Sequence, residues 1–180
     1  MIELPKARKE REKRMARTKY VKPDELDCIL MALMPPNRLA ATVALQTGLR
    51  IGDVLSLKTE QLKNGRFSIR ESKTQKRRSF TLGKKLSDEL LSIAGKIYIF
   101  ENRLDYRKPR TRQAVYKDIR RAAELLRLPK GISTHSIRKN YAVTKYRACG
   151  DMKKVQKLLN HGDEAITMIY ALADSLRGVK

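Results

Sequence analysis

Apolar side chains at Leu26, Ile29, Leu30 and Leu33 recur at a spacing that lines one face of a helix. Pro23 suits the first helical position, and Asp24 and Glu25 suit the positive end of the helix dipole. Pro35-Pro36 is expected to stop this helix. A second helix is expected from Asn37, acting as its cap, to Thr47, with Gly48 ending it. A short third helix should run from Ile51 to about Leu57.

The period then changes from helical to alternating. Arg66 to Glu71 places Phe67 and Ile69 on one side, and Arg78 to Leu82 does the same with Phe80 and Leu82. Ser72 to Arg77 joins them as a polar, basic loop, which predicts a β-hairpin with a cationic tip. Helical pattern returns at Ser87 to Ala94, an extended run is expected at Ile97 to Phe100, and Asn102 to Arg110 reads as a loop. Thr111 can cap a helix reaching about Leu126. Further helices are expected from Ser136 to Cys149, ended by Gly150, from Asp151 through Leu159, and around Ile166, Ile169, Tyr170 and Leu172. No internal repeat is visible. The predicted fold class is mainly α with a small antiparallel β-sheet, an α+β domain.

Residues 1–22 break this pattern, carrying nine Lys or Arg against three Glu with sparse, aperiodic apolar positions. They read as a basic arm, and residues 23–180 as the globular domain. Across the chain, 41 Lys+Arg against 19 Asp+Glu give a net charge of +22, while 41% hydrophobic residues suffice for a core. So basic a protein repels itself unless a polyanion is near, which points to nucleic acid first and an anionic membrane surface second. No apolar run approaches the ~20 residues of a membrane span. The charged N-terminal stretch has no signal-peptide core. Cys28 and Cys149 are widely separated and lie in apolar-periodic stretches, so two buried free thiols are expected. With two histidines and no Cys/His cluster at zinc spacing, no metal site is expected.

Phosphoryl transfer at a diester requires a nucleophile, cations for the non-bridging oxygens and a proton donor for the leaving oxygen. Arginine suits the cationic role because its planar fork binds two oxygens at once. Arg50 sits at a helix junction in Thr47-Gly48-Leu49-Arg50-Ile51-Gly52-Asp53, with Asp53 a turn later and placed to hold it from behind. Alone, such an i, i+3 pair is more often a surface ion pair. His135 and Arg138, also at i, i+3, share a face near a helix start. His161 precedes Tyr170 by nine positions, and a tyrosine in an Ile-rich helix is, by itself, more often core packing.

The ordered set resembles the catalytic domain of the tyrosine recombinases, the phage integrase family. It comprises T-G-L-R-x-x-D, a lysine-bearing hairpin, H-x-x-R, then L-x-H and a tyrosine nine positions on. The resemblance spans roughly Lys22 to Ala173. It implies that Tyr170 attacks the scissile phosphate to form a 3′-phosphotyrosyl bond and that Arg50 and Arg138 clamp the non-bridging oxygens. Lys73, with Lys76 as the alternative, would protonate the leaving 5′ oxygen. His135 would assist proton transfer, His161 would bond the phosphate, and Asp53 would orient a neighbour. Lys76, Arg77, Arg78, Arg112, Gln113 and Lys139 would contact DNA. The implied activity is site-specific DNA recombination without metal or cofactor, on duplex DNA, in a homotetramer, with an accessory DNA-bending protein as a further partner. The implied location is the cytoplasm, with the nucleoid. The alternatives are a non-catalytic or truncated integrase-derived DNA-binding protein and, below it, a relaxing topoisomerase.

Three departures from the family pattern stand out. Asn160 replaces the usual glycine before the histidine, and Lys139 stands where many members have histidine. Only the basic arm precedes the catalytic fold, where family members carry a helical core-binding domain of about 100 residues.

Overall fold

The structure, a computed structural model, describes residues 18–159. Two helices open the described chain, α1 (Pro23–Ala32) and α2 (Pro35–Thr47), followed by the short α3 (Ile51–Leu55) and a 3₁₀ turn, Thr59–Gln61. Strands β1 (Arg66–Arg70) and β2 (Arg77–Thr81) come next, then α4 (Lys84–Ser92), α5 (Arg112–Leu125), α6 (Thr134–Cys149) and α7 (Met152–Leu159). The mainly α fold with one two-stranded antiparallel sheet is the class expected from the hydrophobic pattern.

Helix α2 is the central member. It packs against α6, α3, α1, α4 and α5, and its Leu39, Ala40, Ala41, Val43 and Ala44 are all buried. Three alanines among these five keep the helix slim enough for neighbours to close on several sides. Each large aliphatic chain buried around it, Ile29, Leu55 and Ile119 among them, contributes roughly 1.5–3 kcal/mol of transfer free energy. Tyr141, Ala142, Val155 and Leu159 form a second cluster where α6 meets α7.

In the hairpin, Phe67 faces Phe80 across the ladder, with ring centroids 5.3 Å apart. The strand ends fall at Arg70 and Arg77–Thr81 rather than at Glu71 and Arg78–Leu82. Ile97 to Phe100 is held by single bridging bonds, Thr59 N–H to Ile97 O and Ile99 N–H to Leu57 O, and forms no full strand. Thr111 caps α5 by accepting from Ala114 N–H. Gly48 and Gly150 end α2 and α6 in the left-handed conformation.

Four expectations are corrected. Helix α1 does end ahead of Pro35-Pro36, at Ala32, but the next helix begins at Pro35 rather than at Asn37: the two prolines occupy the first positions of α2, where no amide donor is needed. Asn37 is not its cap. It lies buried in the first turn, donating from Nδ2 to Asp118 Oδ2 (2.6 Å) and accepting from Arg110 Nε at Oδ1 (2.6 Å). Among the described residues no side chain caps α2; Asp118 on α5 fixes its entry instead, its Oδ2 also accepting the N–H of the preceding Met34 at 2.9 Å. Helix α4 starts three residues before Ser87, after Gly83. Cys28 and Cys149 are exposed, not buried, and no disulfide joins them.

Residues 18–22, read as the end of a solvated arm, are packed onto α6. Val21 is fully buried, its N–H donates to Asn140 Oδ1 (3.3 Å), and its carbonyl accepts from Asn140 Nδ2 (2.6 Å). The side-chain amide thereby imitates a strand partner. Lys139 Nζ donates to Thr18 O at 3.1 Å, and the Arg147 guanidinium lies over the Tyr20 ring. The final helix expected around Ile166 to Leu172 lies outside the described residues.

Candidate active site

Arg50 is the N-cap residue of α3, in extended conformation directly after the left-handed turn at Gly48. Its carbonyl accepts from Asp53 and Val54 N–H groups, so the backbone beneath the guanidinium is fixed at both ends. The side chain is partly buried and donates from Nη1 to Glu71 Oε2 at 3.2 Å.

Arg138 lies in α6 and is almost wholly buried. It donates from Nη1 to the Gly48 carbonyl and from Nη2 to the Leu159 carbonyl at 2.7 Å. One guanidinium thus bonds the turn that presents Arg50 and also the end of α7. Both carbonyls lie at helix C-termini, where the dipole favours a cation. His135 is exposed, one turn before Arg138 in the first turn of α6. Ser133 caps that helix, accepting from His135 N–H, while Ser136 Oγ returns a bond to Ser133 N–H.

Lys73 occupies the loop between the strands and is exposed. The loop folds as a tight turn in which Gln75 N–H donates to Glu71 O (2.8 Å) and Glu71 N–H to Lys76 O (3.0 Å). Gln75 takes a φ of 58° there. Asp53 reaches this loop rather than Arg50: its Oδ1 accepts the Ser72 N–H at 3.0 Å. The Asp53 carboxylate thus holds the backbone of the residue before Lys73. Its Oδ2 is the buried side-chain oxygen left without a hydrogen-bond partner among the described residues.

Glu71 is the site residue that sequence reasoning missed. Its side chain is fully buried, accepting from Arg50 at Oε2 and from Arg78 Nη1 at Oε1 (3.0 Å). The signal was present in the alternation: Phe67 and Ile69 are the inward positions of β1, and Glu71, one residue past its end, continues the same buried alternation. Arg78, read as a DNA contact, is half-buried, paired with Glu71 and lies 4.6 Å over the Phe80 ring. Tyr141 was also missed. Burial pushes its phenol up, and the nearby positive charges of Arg78 and Arg138 work the other way. Its ring covers Gly48.

The remaining basic residues divide. Lys76 and Arg77 are exposed on the hairpin, with Arg77 Nε on Ser68 Oγ. Arg112 and Gln113 are exposed at the start of α5, and the Arg112 chain lies against Gly52. Lys139 is buried with its ammonium on Thr18 O, and burial holds its pKa below the ordinary lysine value. His161 and Tyr170 lie outside the described residues. Among the described residues no group of three His, Cys, Asp or Glu could hold a metal ion, and no helix is long and apolar enough to cross a membrane.

The fold is that of solved site-specific recombinases. A lambda integrase dimer bound to a COC′ core site superposes with a TM-score of 0.71 at 24% identity, over 91% of this chain and 50% of that one. The XerH recombinase in its post-cleavage complex with difH substrate superposes with a TM-score of 0.68 at 22% identity, over 88% and 51%. Among curated relatives, the probable integrase/recombinase YoeC of Bacillus subtilis (strain 168) is 31% identical over 131 residues, 70% of this chain and 71% of that protein. The integrase of Escherichia phage P2 is 28% identical over 155 residues, 86% and 43%. The chain therefore spans about half the length of the solved recombinases it resembles. The model of the phage integrase family matches residues 19–177, and the chain belongs to that family.

Proposed function

We propose that this chain carries the catalytic domain of a site-specific DNA recombinase that cleaves and rejoins duplex DNA through a 3′-phosphotyrosyl intermediate. The observation that carries the reading is the junction at Gly48. Its carbonyl binds Arg138, and the turn it forms delivers Arg50 to the next helix start. Two arginines 88 positions apart in sequence (138 − 50) thus converge on one turn. The Asp53–Ser72 bond draws the Lys73 loop to the same helix, and His135 lies a turn from Arg138.

In this reading Arg50 and Arg138 neutralise the non-bridging oxygens as negative charge grows on them. The Tyr170 oxygen attacks phosphorus, the bond from phosphorus to the 5′ oxygen breaks, and Lys73 donates a proton to that oxygen. His135 assists proton transfer and His161 bonds the phosphate. Rejoining reverses the sequence with a new 5′-hydroxyl, so the bond energy stays in the phosphotyrosine. Lys76, Arg77, Arg112 and Gln113 would contact the DNA, the part of the basic arm ahead of Thr18 would act as a tether, and residues 23–180, with residues 18–22 packed on them, would form the catalytic unit. The acting form is a homotetramer on DNA with a DNA-bending accessory protein, in the cytoplasm with the nucleoid.

The test uses duplexes selected by the wild-type chain from a pool randomised over the core, then nicked to trap the intermediate. A covalent protein–DNA adduct should appear on a denaturing gel and vanish in Tyr170→Phe. An adduct that survives that substitution overturns the assignment. Salt-dependent binding with no adduct on any nick position would make the chain a DNA-binding module instead.

A further inference from the structure

Glu71 is an acid placed where the mechanism above has no use for one. Its carboxylate is fully buried and touches two guanidiniums, Arg50 through one oxygen and Arg78 through the other. A carboxylate taken out of water is costly unless paired, and two arginines meet that cost. Both arginine side chains remain partly open to solvent, at 17% and 16% exposure, beside the fully buried acid.

The backbone at Glu71 is equally constrained. Its N–H and carbonyl close the hairpin turn through Lys76 and Gln75, and the next residue gives its N–H to Asp53. Helix α3 and the lysine loop are therefore tied twice, once from Arg50 to Glu71 and once from Ser72 to Asp53. A guanidinium on a long flexible stem has no fixed aim; one held by a carboxylate at a rigid turn does.

We infer that Glu71 is a positioning residue for Arg50, aiming its guanidinium at the scissile phosphate and locking it in register with the Lys73 loop. This rests on the reading of the chain as a DNA-cleaving enzyme. Arg78 is the counterweight: by taking the second oxygen it keeps Glu71 from closing on Arg50 with both and withdrawing it from the phosphate.

Glu71→Gln is the informative change. The amide keeps the shape, but its NH₂ faces a guanidinium donor and its oxygen can serve only one of the two sides. Single-turnover cleavage of the selected nicked duplex at saturating protein should fall roughly 10- to 100-fold, the range for groups that orient an active-site ligand. DNA affinity by mobility shift should stay within about threefold, because the interaction acts in the transition state. The decisive comparison is a duplex whose scissile phosphate is a methylphosphonate. One charged oxygen is then missing, the demand on Arg50 falls, and the loss caused by Glu71→Gln should shrink to within about threefold. If thermal melting shows Glu71→Gln unfolded at assay temperature, Glu71→Asp carries the same comparison, with a smaller loss and the same substrate dependence. A loss equal on both substrates, or no loss on the phosphodiester, overturns the inference while wild-type cleavage leaves the enzymatic reading standing. Absence of any adduct with wild type overturns both.

Discussion

Gly48→Ala and Gly150→Ala would add the same methyl group to nearly the same backbone, with φ at 68° and 64°. The surroundings differ completely. At Gly150 a Cβ would meet nothing within 4 Å, so the cost is the left-handed backbone alone, about 1–2 kcal/mol. At Gly48 a Cβ would stand 2.5 Å from Tyr141 Cδ1, closer still to Cε1, and 2.9 Å from Cζ. That ring is buried in the cluster between α6 and α7, so it cannot swing into solvent. Overpacking of this kind adds about 1–3 kcal/mol, which brings Gly48→Ala to about 2–5 kcal/mol. Urea unfolding of both variants, compared at constant m-value, measures the difference directly. Adding Tyr141→Leu to Gly48→Ala should relieve the clash and give a clear coupling energy in a double-mutant cycle. Equal costs at the two glycines, or strict additivity in the cycle, would refute the steric argument and leave only backbone preference.

Three other outcomes are expected. Burial lowers the pKa of Lys139 in the folded protein, so between that value and the ordinary lysine value the unfolded chain holds more protons and stability rises with pH. Lys139→Met should flatten this alkaline rise in melts run from pH 8 upward. Burial raises the Asp118 carboxyl, but bonds from Asn37, Arg121 and the Met34 N–H outweigh it, and its pKa is lowered. Its stabilisation is therefore lost as pH falls through that lowered value, and Asp118→Asn should weaken the acid unfolding transition and cost about 1–3 kcal/mol near neutrality. Asn140→Ala should release residues 18–22, seen as faster amide exchange at Val21 and faster tryptic cleavage at Lys19 with the rest of the domain protected.

Local chemistry was legible in the sequence wherever a residue acts on its own neighbourhood. Thr111 caps the helix that follows it, Gly48 and Gly150 end theirs, and the alternation around Phe67 and Phe80 marks the hairpin. The failures share one cause, a partner far away in the chain. Asn37 looked like a cap because its amide could serve the next turn, yet Asp118 and Arg110 claim it. Pro35-Pro36 was read correctly as the end of α1, but that the same prolines open α2 was not, because the Asp118 carboxylate that fixes Met34 just ahead of them comes from α5. Asp53 was read as the partner of Arg50 on spacing alone, whereas that role falls to Glu71, brought in by the hairpin. Cys28 and Cys149 sit in periodic stretches but on the outward side of their helices. Arg50, His135 and Arg138 could be singled out as candidates from their order, while the contact of Arg138 with the Gly48 turn that precedes Arg50 depends on the packing of α6 on α2.

The pairing of Val21 with Asn140 has a mechanical side. The backbone enters the domain along the same helix that carries Arg138, and its last fastenings are made by Lys139 and Asn140, the two residues that follow that arginine. Tension applied to the chain ahead of Thr18 is thus not dissipated at a loose end. It is transmitted to α6 within one turn of the guanidinium that grips the Gly48 carbonyl. The anchor of residues 18–22 and the guanidinium proposed to bind the phosphate are thus carried by one helix, on three successive residues.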